Sequence, residues 1–128
     1  MATLTRVGRE DALRITRVVE LRDQLVGAVL AAMEGATPMG FASLAEVEAF
    51  LVSTTGEEVA ARGTQGKIHH VDPRMLVSWV RDTIGDAELA ASLDVVVDSE
   101  RPYFFLVPEM KQLIAERLAQ CEAAQSQE

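Results

Sequence analysis

The longest apolar stretch of the chain, Leu25 to Met33, constrains the fold most. Apolar residues also precede it at spacings of three to five positions, mostly four, which places them along one side of a helix. The pattern therefore predicts one long helix from Glu10 to Glu34, ended by Gly35 and Pro38. The residues that line this side are Leu13, Val18, Leu21, Leu25, Val29 and Met33.

This helix is apolar over so much of its circumference that it has to be covered from more than one direction. Ile15, Val19, Val26 and Leu30 widen its apolar side. We expect it either to lie in the centre of the fold or to form a dimer interface, and we predict a homodimer built on it. The predicted interface consists of Val18, Leu21, Leu25, Val29 and Met33.

Short local signals predict where the later helices begin. Ser43 and Glu46 form a capping box, so a second helix should start at Ser43. Asp72-Pro73 combines an N-cap carboxylate with a proline in the first helical position. Gly85-Asp86 ends that helix and starts the next one, and Pro108 starts the last.

The segment 103–107 has the composition of a strand but is too short for periodicity to decide between strand and helix. The other signals are helical. We therefore predict an all-α fold, an irregular bundle of about five helices with a long N-terminal helix and a possible short extended segment near 103–107. The chain of 128 residues is expected to form one domain, 1–128, with 1–9 and 120–128 frayed.

The formal net charge of −8 excludes several classes of partner. Five arginines face four acids in the first 23 residues, and the rest of the chain is strongly acidic. We expect the N-terminal arginines to form the solvated face of the first helix. An acidic protein is repelled by nucleic-acid phosphates and by anionic lipids, so neither nucleic acid nor membrane is predicted as a partner. The predicted partner is a second copy of the chain or another protein.

Cys121 is the single cysteine, so an intramolecular disulfide cannot form, which suits a reducing compartment. The apolar stretch Leu25 to Met33 is much shorter than the ~20 residues that a membrane span needs. Charges of both signs precede it, unlike the core of a signal peptide. The sequence therefore predicts a cytoplasmic location.

His69 and His70 are the only histidines, and Asp72 lies two residues beyond them. Imidazole and carboxylate groups in one loop are able to bind a metal ion, with Glu57 or Glu58 completing its shell. Adjacent histidines do not match a known spacing of metal ligands, however, so we expect no metal and no other cofactor. His69, His70 and Asp72 remain the candidates for a metal or small-ligand site.

No cluster of residues matches a catalytic signature. Cys121 lies near the end of the last predicted helix, where the helix dipole disfavours a thiolate. The Gly63–Lys67 segment has only part of the phosphate-loop pattern, because Ala61 and Ile68 replace the glycine and the hydroxyl residue of the full motif. The sequence thus favours a protein without enzymatic activity.

From Phe41 onward, short pieces of the chain are similar to an uncharacterised bacterial family of small helical domains of unknown function. The pieces occur in the same order, whereas the segment between Phe50 and Lys67 and the first helix do not fit the family. The resemblance implies a helical fold and supplies no activity. The matching pieces are Ala42–Glu46, Ile68–His70, Ser78–Val80, Gly85–Ala90 and Leu113–Leu118.

Two functional hypotheses follow from the sequence. The first is a non-enzymatic protein-interaction or regulatory module that is homodimeric through the first helix. The second is a small-ligand or metal-binding protein, in which His69, His70 and Asp72 converge with the segment Tyr103–Phe105. The two differ in geometry, because the second requires these groups to share one pocket.

Overall fold

The computed structural model describes residues 4–31, 35–51 and 67–126. These residues form five α-helices and a three-stranded antiparallel sheet, so the prediction of an all-α bundle is wrong. The strands are β1 (Leu25–Ala31), β2 (Gly35–Phe41) and β3 (Lys67–His70). The helices are α1 (Arg9–Ile15), α2 (Leu44–Phe50), α3 (Pro73–Trp79), α4 (Ala87–Val97) and α5 (Tyr103–Ser126), with a 3-10 turn at Leu21–Asp23 and a π-helical turn at Val80–Ile84.

The long N-terminal helix is the main error of the sequence-based prediction. α1 ends at Ile15, and the apolar run that follows forms strand β1 instead. A continuous apolar run does not distinguish a strand from a buried helix by periodicity. Its valines favour a strand, and Gly27 disfavours the interior of a helix. Antiparallel pairing on both sides of β1 then stabilises the extended backbone.

β1 is the central strand of the sheet, with β2 on one side and β3 on the other. β1 and β2 form a hairpin in which Leu25 lies opposite Phe41. β3 pairs with the second half of β1, so Ala28 lies opposite both Pro38 and His70. β2 and β3 are therefore the two edge strands.

The helix starts predicted from capping residues are confirmed for α2 and α3. The Ser43 hydroxyl oxygen accepts a hydrogen bond from the backbone N–H of Glu46 at 3.3 Å. A carboxylate oxygen of Asp72 accepts one from the backbone N–H of Arg74 at 3.0 Å, directly before Pro73 opens α3. Both contacts lie within one turn of helix, so they depend on local sequence alone.

The predicted break between α3 and α4 is confirmed as well. Gly85 has a φ of +83°, a left-handed conformation that glycine adopts without steric cost. Asp86 then caps α4, and its Oδ1 accepts a hydrogen bond from the backbone N–H of Leu89 at 3.0 Å.

α5 begins at Tyr103, so the segment 103–107 is helical and not extended. Pro108, the predicted first residue of this helix, lies inside it. The carbonyl of Pro102 accepts the N–H of Phe105 at 2.9 Å in the first turn. In the part of the chain that the structure describes, no helix is long and apolar enough to cross a membrane.

The core lies between the helices and one side of the hairpin. α5 contacts α1, α2 and α4. Leu4 and Cys121 belong to the terminal segments predicted to fray, and both are buried. Each helix contributes fully buried side chains, among them Ala12, Leu44, Leu76, Leu89 and Ile114.

Two N-terminal arginines, predicted to be solvated, bind backbone carbonyls at the end of the π-helical turn. Arg17 donates to the carbonyl of Ile84 at 3.1 Å and to that of Thr83, and Arg14 donates to that of Gly85 at 3.3 Å. Carbonyls at the end of a helix lack partners within it, so a cation there is stabilising. These bonds hold the end of α1 against the junction of α3 and α4.

Candidate functional site

His69 and His70 do not converge on one site. Successive side chains of a strand point to opposite faces of the sheet. The ring of His69 stacks 4.6 Å from that of Phe50, and its Nδ1 lies 3.0 Å from the Phe50 carbonyl oxygen. The ring of His70 lies 4.7 Å from that of Tyr103. Each imidazole is thus placed against a different helix, α2 or α5.

Asp72, the third predicted ligand, serves as the N-cap of α3. Its carboxylate accepts the backbone N–H groups of Arg74 and Met75. Glu57 and Glu58, which were to complete a metal shell, lie outside the described residues. Within 4–31, 35–51 and 67–126, no group of three or more His, Cys, Asp or Glu side chains is placed to hold a metal ion. The three predicted ligands do not form one coordination shell.

The hydroxyl of Tyr103 completes the hydrogen bonding at the edge of β3. It accepts the backbone N–H of Val71 and donates to the carbonyl of His69, each at 3.0 Å. Burial raises the pKa of this hydroxyl, because a phenolate is disfavoured away from water. The protonated form that donates to His69 is therefore maintained at neutral pH. Phe105, from the same predicted site, is exposed.

These two bonds also determine which backbone groups of β3 face β1. The backbone groups of successive residues in a strand point to opposite sides. The N–H of Val71 and the C=O of His69 point away from β1, so the N–H and C=O of His70 point toward Ala28. Ala28 therefore forms its ladder bonds with β3, and its pair with Pro38 is of the non-hydrogen-bonded kind. Pro38 consequently has its nitrogen, which carries no hydrogen, on the open edge of β2.

A buried cluster of charges, missed at the sequence level, surrounds Arg117, which is 1% exposed. Its Nε lies 2.8 Å from Oδ2 of Asp86, an ion pair without the alignment of a hydrogen bond. Its Nη2 lies 2.7 Å from Oε1 of Glu88. Its Nη1 donates to the carbonyl of Thr5 and to the side chain of Gln120, both at 2.7 Å. The cluster joins the N-terminal segment to α4 and α5.

The charged groups of this cluster are paired with one another. The Thr5 hydroxyl donates to Glu88 at 2.7 Å and is the largest cause that lowers the pKa of that carboxyl, with burial opposing it and Arg117 adding to it. Burial raises the pKa of the Cys121 thiol, which nearby Arg117 lowers and Asp86 raises further. A buried, protonated thiol is a poor nucleophile. We therefore interpret the cluster as structural, holding the N-terminal segment against α4 and α5.

A sequence signal for this cluster does exist. Arg117 lies three and four positions after Ile114 and Leu113 and four before Cys121. This spacing places a cation on the apolar side of α5, where a buried partner is required. The identity of that partner, Asp86, depends on tertiary contact.

The β1–β2 hairpin is the least covered apolar part of the described sheet. Six of the seven residues of β2, Gly35 to Gly40, are exposed, and only Phe41 is buried. Neither strand carries a charged residue. Exposed strands usually carry charges that keep other chains away, so an exposed pair of strands without charged residues is typical of a contact surface.

Alternation along the strands divides the hairpin into two faces. Leu25 and Gly27 are buried, whereas Val26 between them is 54% exposed. A Cβ on Gly27 would lie 2.8 Å from the carbonyl oxygen of His70 and 2.9 Å from a ring carbon of Phe41, so this side packs closely on the body. The other side is the outer face, formed on β1 and β2 by Val26, Ala28, Leu30, Ala36, Pro38 and Gly40. On β3 the face continues to His70, which lies opposite Ala28, and the side chain of Gln24 lies beside Gly40.

The four predicted interface residues that the structure describes do not share one surface. Val18 and Leu21 precede β1 and are 75% and 83% exposed. Leu25 is buried in the core, and Val29 is half-buried on the same side of β1. Met33 lies outside the described residues. The long helix that was to carry this interface is absent, because α1 ends at Ile15 and Leu25–Ala31 is a strand.

A groove of about 390 Å³ adjoins the start of the outer face. Leu25 and Val26 line it from β1, and Met75 and Trp79 line it from α3. The indole N–H of Trp79 donates to the carbonyl of Asp23 at 2.7 Å, which fixes the orientation of the ring. Gln24, Arg74 and Ser78 complete the lining, so the groove that joins the hairpin to α3 is apolar with polar groups at its rim.

The surface has to be interpreted from its own geometry. Comparison of the chain with known protein families, with curated proteins and with solved structures finds no match.

Proposed function

We propose that this chain is a non-enzymatic protein-interaction module that binds its partner through the β1–β2 hairpin. The observation that carries the proposal is the exposure of Gly35 to Gly40 in a strand pair without charge. Covering such a surface contributes about 25 cal/mol per Å² of apolar area and leaves no charge unpaired. The partner is a protein that presents a flat and equally uncharged surface.

The remaining described residues support binding over catalysis. The two histidines lie against aromatic rings, and the Cys121 thiol is buried and protonated. The net charge of −8 favours a protein partner over nucleic acid or an anionic membrane. A single reduced cysteine supports a cytoplasmic location.

Site-specific photo-crosslinking in the cells that produce the protein tests the proposal. A benzophenone side chain replaces Ala36 on the outer face, and in a matched control it replaces Ala91, an exposed alanine of α4. We expect a covalent protein adduct from position 36 and none from position 91. Adducts from neither position, or equal adducts from both, would contradict an interaction surface on the hairpin.

A second pair of variants separates binding from folding. Val26→Lys places a charge on the outer face, and Val95→Lys places the same charge on an exposed valine of α4. Both are exposed positions, so each variant should unfold within about 0.5 kcal/mol of the parent protein. We expect Val26→Lys alone to remove the adduct at position 36. Loss of stability in Val26→Lys would instead mark the hairpin as a structural element.

A further inference from the structure

A cleft of about 540 Å³ lies between the N-terminal segment and the second half of α5. This volume falls within the roughly 300–1,000 Å³ that small-molecule sites usually occupy. Arg6 and Val7 line one wall, and α5 lines the other, mostly with alanines that leave space for a ligand. The α5 residues are Glu116, Ala119, Gln120, Ala123 and Ala124.

The two walls are joined by hydrogen bonds directly beside the cleft. The side-chain amide of Gln120 donates to the carbonyl of Leu4 at 2.9 Å, and its oxygen accepts from Arg117 at 2.7 Å. Arg117 also donates to the carbonyl of Thr5, the residue before Arg6. The cleft is therefore preformed, so binding does not have to order the chain around it.

The cleft contains one cation and one carboxylate that do not pair with each other. Arg6 is exposed and Glu116 is half-buried. In the described part of the chain, neither side chain forms a hydrogen bond or an ion pair, so more than 4.0 Å separates the guanidinium from the carboxylate. Other exposed arginines, such as Arg74 and Arg81, do pair with carboxylates of the chain. The charges of Arg6 and Glu116 are thus available to a ligand.

Two opposite charges on the two walls select the class of ligand. A simple anion at Arg6 is repelled by Glu116 and by the net charge of −8, and a simple cation at Glu116 is repelled by Arg6. A molecule that carries both charges satisfies both walls, and Val7 and the alanines accept its apolar side chain. We propose that the cleft binds a small zwitterion with an apolar side chain, either a free α-amino acid or a dipeptide.

The ligand joins the two walls of the cleft through its two charges. Its carboxylate binds the Arg6 guanidinium, and its ammonium group binds the Glu116 carboxylate. Water reaches Arg6 and weakens the first contact, so we expect a Kd on the order of 1 mM. The ligand connects the N-terminal segment to α5 and should raise the unfolding temperature as its concentration rises. The cleft and the hairpin involve different residues, so this inference is independent of the proposed function.

Titration of the full chain with matched compounds, followed by amide shifts in NMR spectra, tests the ligand class. Leucine and alanyl-leucine carry both charges, isocaproate lacks the ammonium group, and isoamylamine lacks the carboxylate. We expect the amides of Val7, Ala119 and Ala123 to shift with the zwitterions, and each single-charge compound to bind at least about fivefold more weakly. The tighter of the two zwitterions distinguishes an amino-acid site from a dipeptide site. No shifts with either zwitterion up to about 20 mM, or equal binding of a single-charge compound, overturns the proposal.

Removal of each charge tests which residues bind the zwitterion. Arg6→Gln and Glu116→Gln should each weaken binding at least about fivefold. The matched controls are Arg81→Gln and Glu122→Gln, which remove exposed charges that do not line the cleft. None of the four side chains is fully buried, so each variant should unfold close to the urea concentration of the parent. Undiminished binding in both Arg6→Gln and Glu116→Gln, or an equal loss in the controls, overturns the proposal. If a variant is unstable, the amide shifts of the parent protein decide, because a ligand bound elsewhere shifts other amides.

Discussion

The hydroxyl oxygen of Tyr103 lies 3.0 Å from the backbone nitrogen of Val71. This contact joins the first turn of α5 to the residue that follows β3. It occupies the edge at which a further strand would pair, so a single side chain performs the role of a neighbouring strand. The sheet remains three-stranded on this side because α5 is packed against it.

Tyr103→Phe should therefore destabilise the fold without changing its packing. The variant leaves the Val71 N–H and the His69 carbonyl without a partner, and we expect a loss of about 1–3 kcal/mol in the free energy of unfolding. Urea denaturation measures it, with Phe105→Leu at an exposed position as control. If hydrogen exchange at the Val71 amide did not accelerate in Tyr103→Phe, the edge contact would not be protecting it.

Gly27→Ala should be costly because the added methyl group has no space. Its nearest neighbour, at 2.8 Å, is the backbone carbonyl of His70, which cannot move without disturbing the pairing of β3. We expect about 1–3 kcal/mol of destabilisation in thermal or urea unfolding. Gly40→Ala is the matched control, since its new methyl group meets only the end of the Gln24 side chain, which is free to rotate away. Equal effects of the two substitutions would show that strand propensity, not crowding, dominates.

Arg117→Met tests the buried cluster. The substitution leaves the carboxylate of Asp86 buried with no cation, which costs about 3–5 kcal/mol. Adding Asp86→Asn to Arg117→Met removes the uncompensated charge and retains an N-cap oxygen for α4, so we expect the double variant to recover part of the loss. A double-mutant cycle measured by urea unfolding gives the coupling. Simple additivity of the two single effects is the result that would exclude a direct pair.

Glu88 should make the stability of the protein depend on acid pH. Its pKa is lowered from 4.5 in the folded state, chiefly by the Thr5 hydroxyl. The contribution of Glu88 is therefore fully present above pH 4.5 and is lost as the pH falls through the lowered folded pKa. Unfolding midpoints measured between about pH 3 and 7 should decline less steeply for Glu88→Gln than for the parent. Parallel declines would assign the acid sensitivity to other carboxylates.

Pro38→Thr should open the edge of β2. The substitution supplies the missing N–H on the side that faces away from β1, and threonine is a strong strand former. We expect slow aggregation at concentrations at which the parent protein remains dispersed, measured by light scattering over time. Ala36→Thr is the control, because Ala36 already has its N–H and gains only strand propensity. If both variants aggregated alike, the missing donor would not be the protective feature.

Contacts within a few residues were accessible from the sequence. The Ser43 N-cap, the Asp72 N-cap and the Gly85 break each depend on residues within one helical turn, and the structure confirms all three. Such signals are reliable because no distant part of the chain has to be known.

Features that depend on distant pairing were not accessible. β1 is a strand because Leu25 pairs with Phe41 and Ala28 with His70, partners that no local pattern indicates. The ion pair of Arg117 with Asp86 spans 31 residues. In the structure, exposed Val26 lies between buried Leu25 and Gly27, which is the two-residue alternation of a strand. The sequence did not reveal it, because apolar residues four positions apart suggested a helix.

The bond from Arg117 to the carbonyl of Thr5 connects residues 112 positions apart. A ribosome that has released only α1, the sheet and α4 has not yet supplied the guanidinium that neutralises buried Asp86. The N-terminal segment likewise has nothing to pack against until the second half of α5 has left the exit tunnel. Folding of this domain is therefore expected to complete after synthesis of α5, in one step that includes both of its ends.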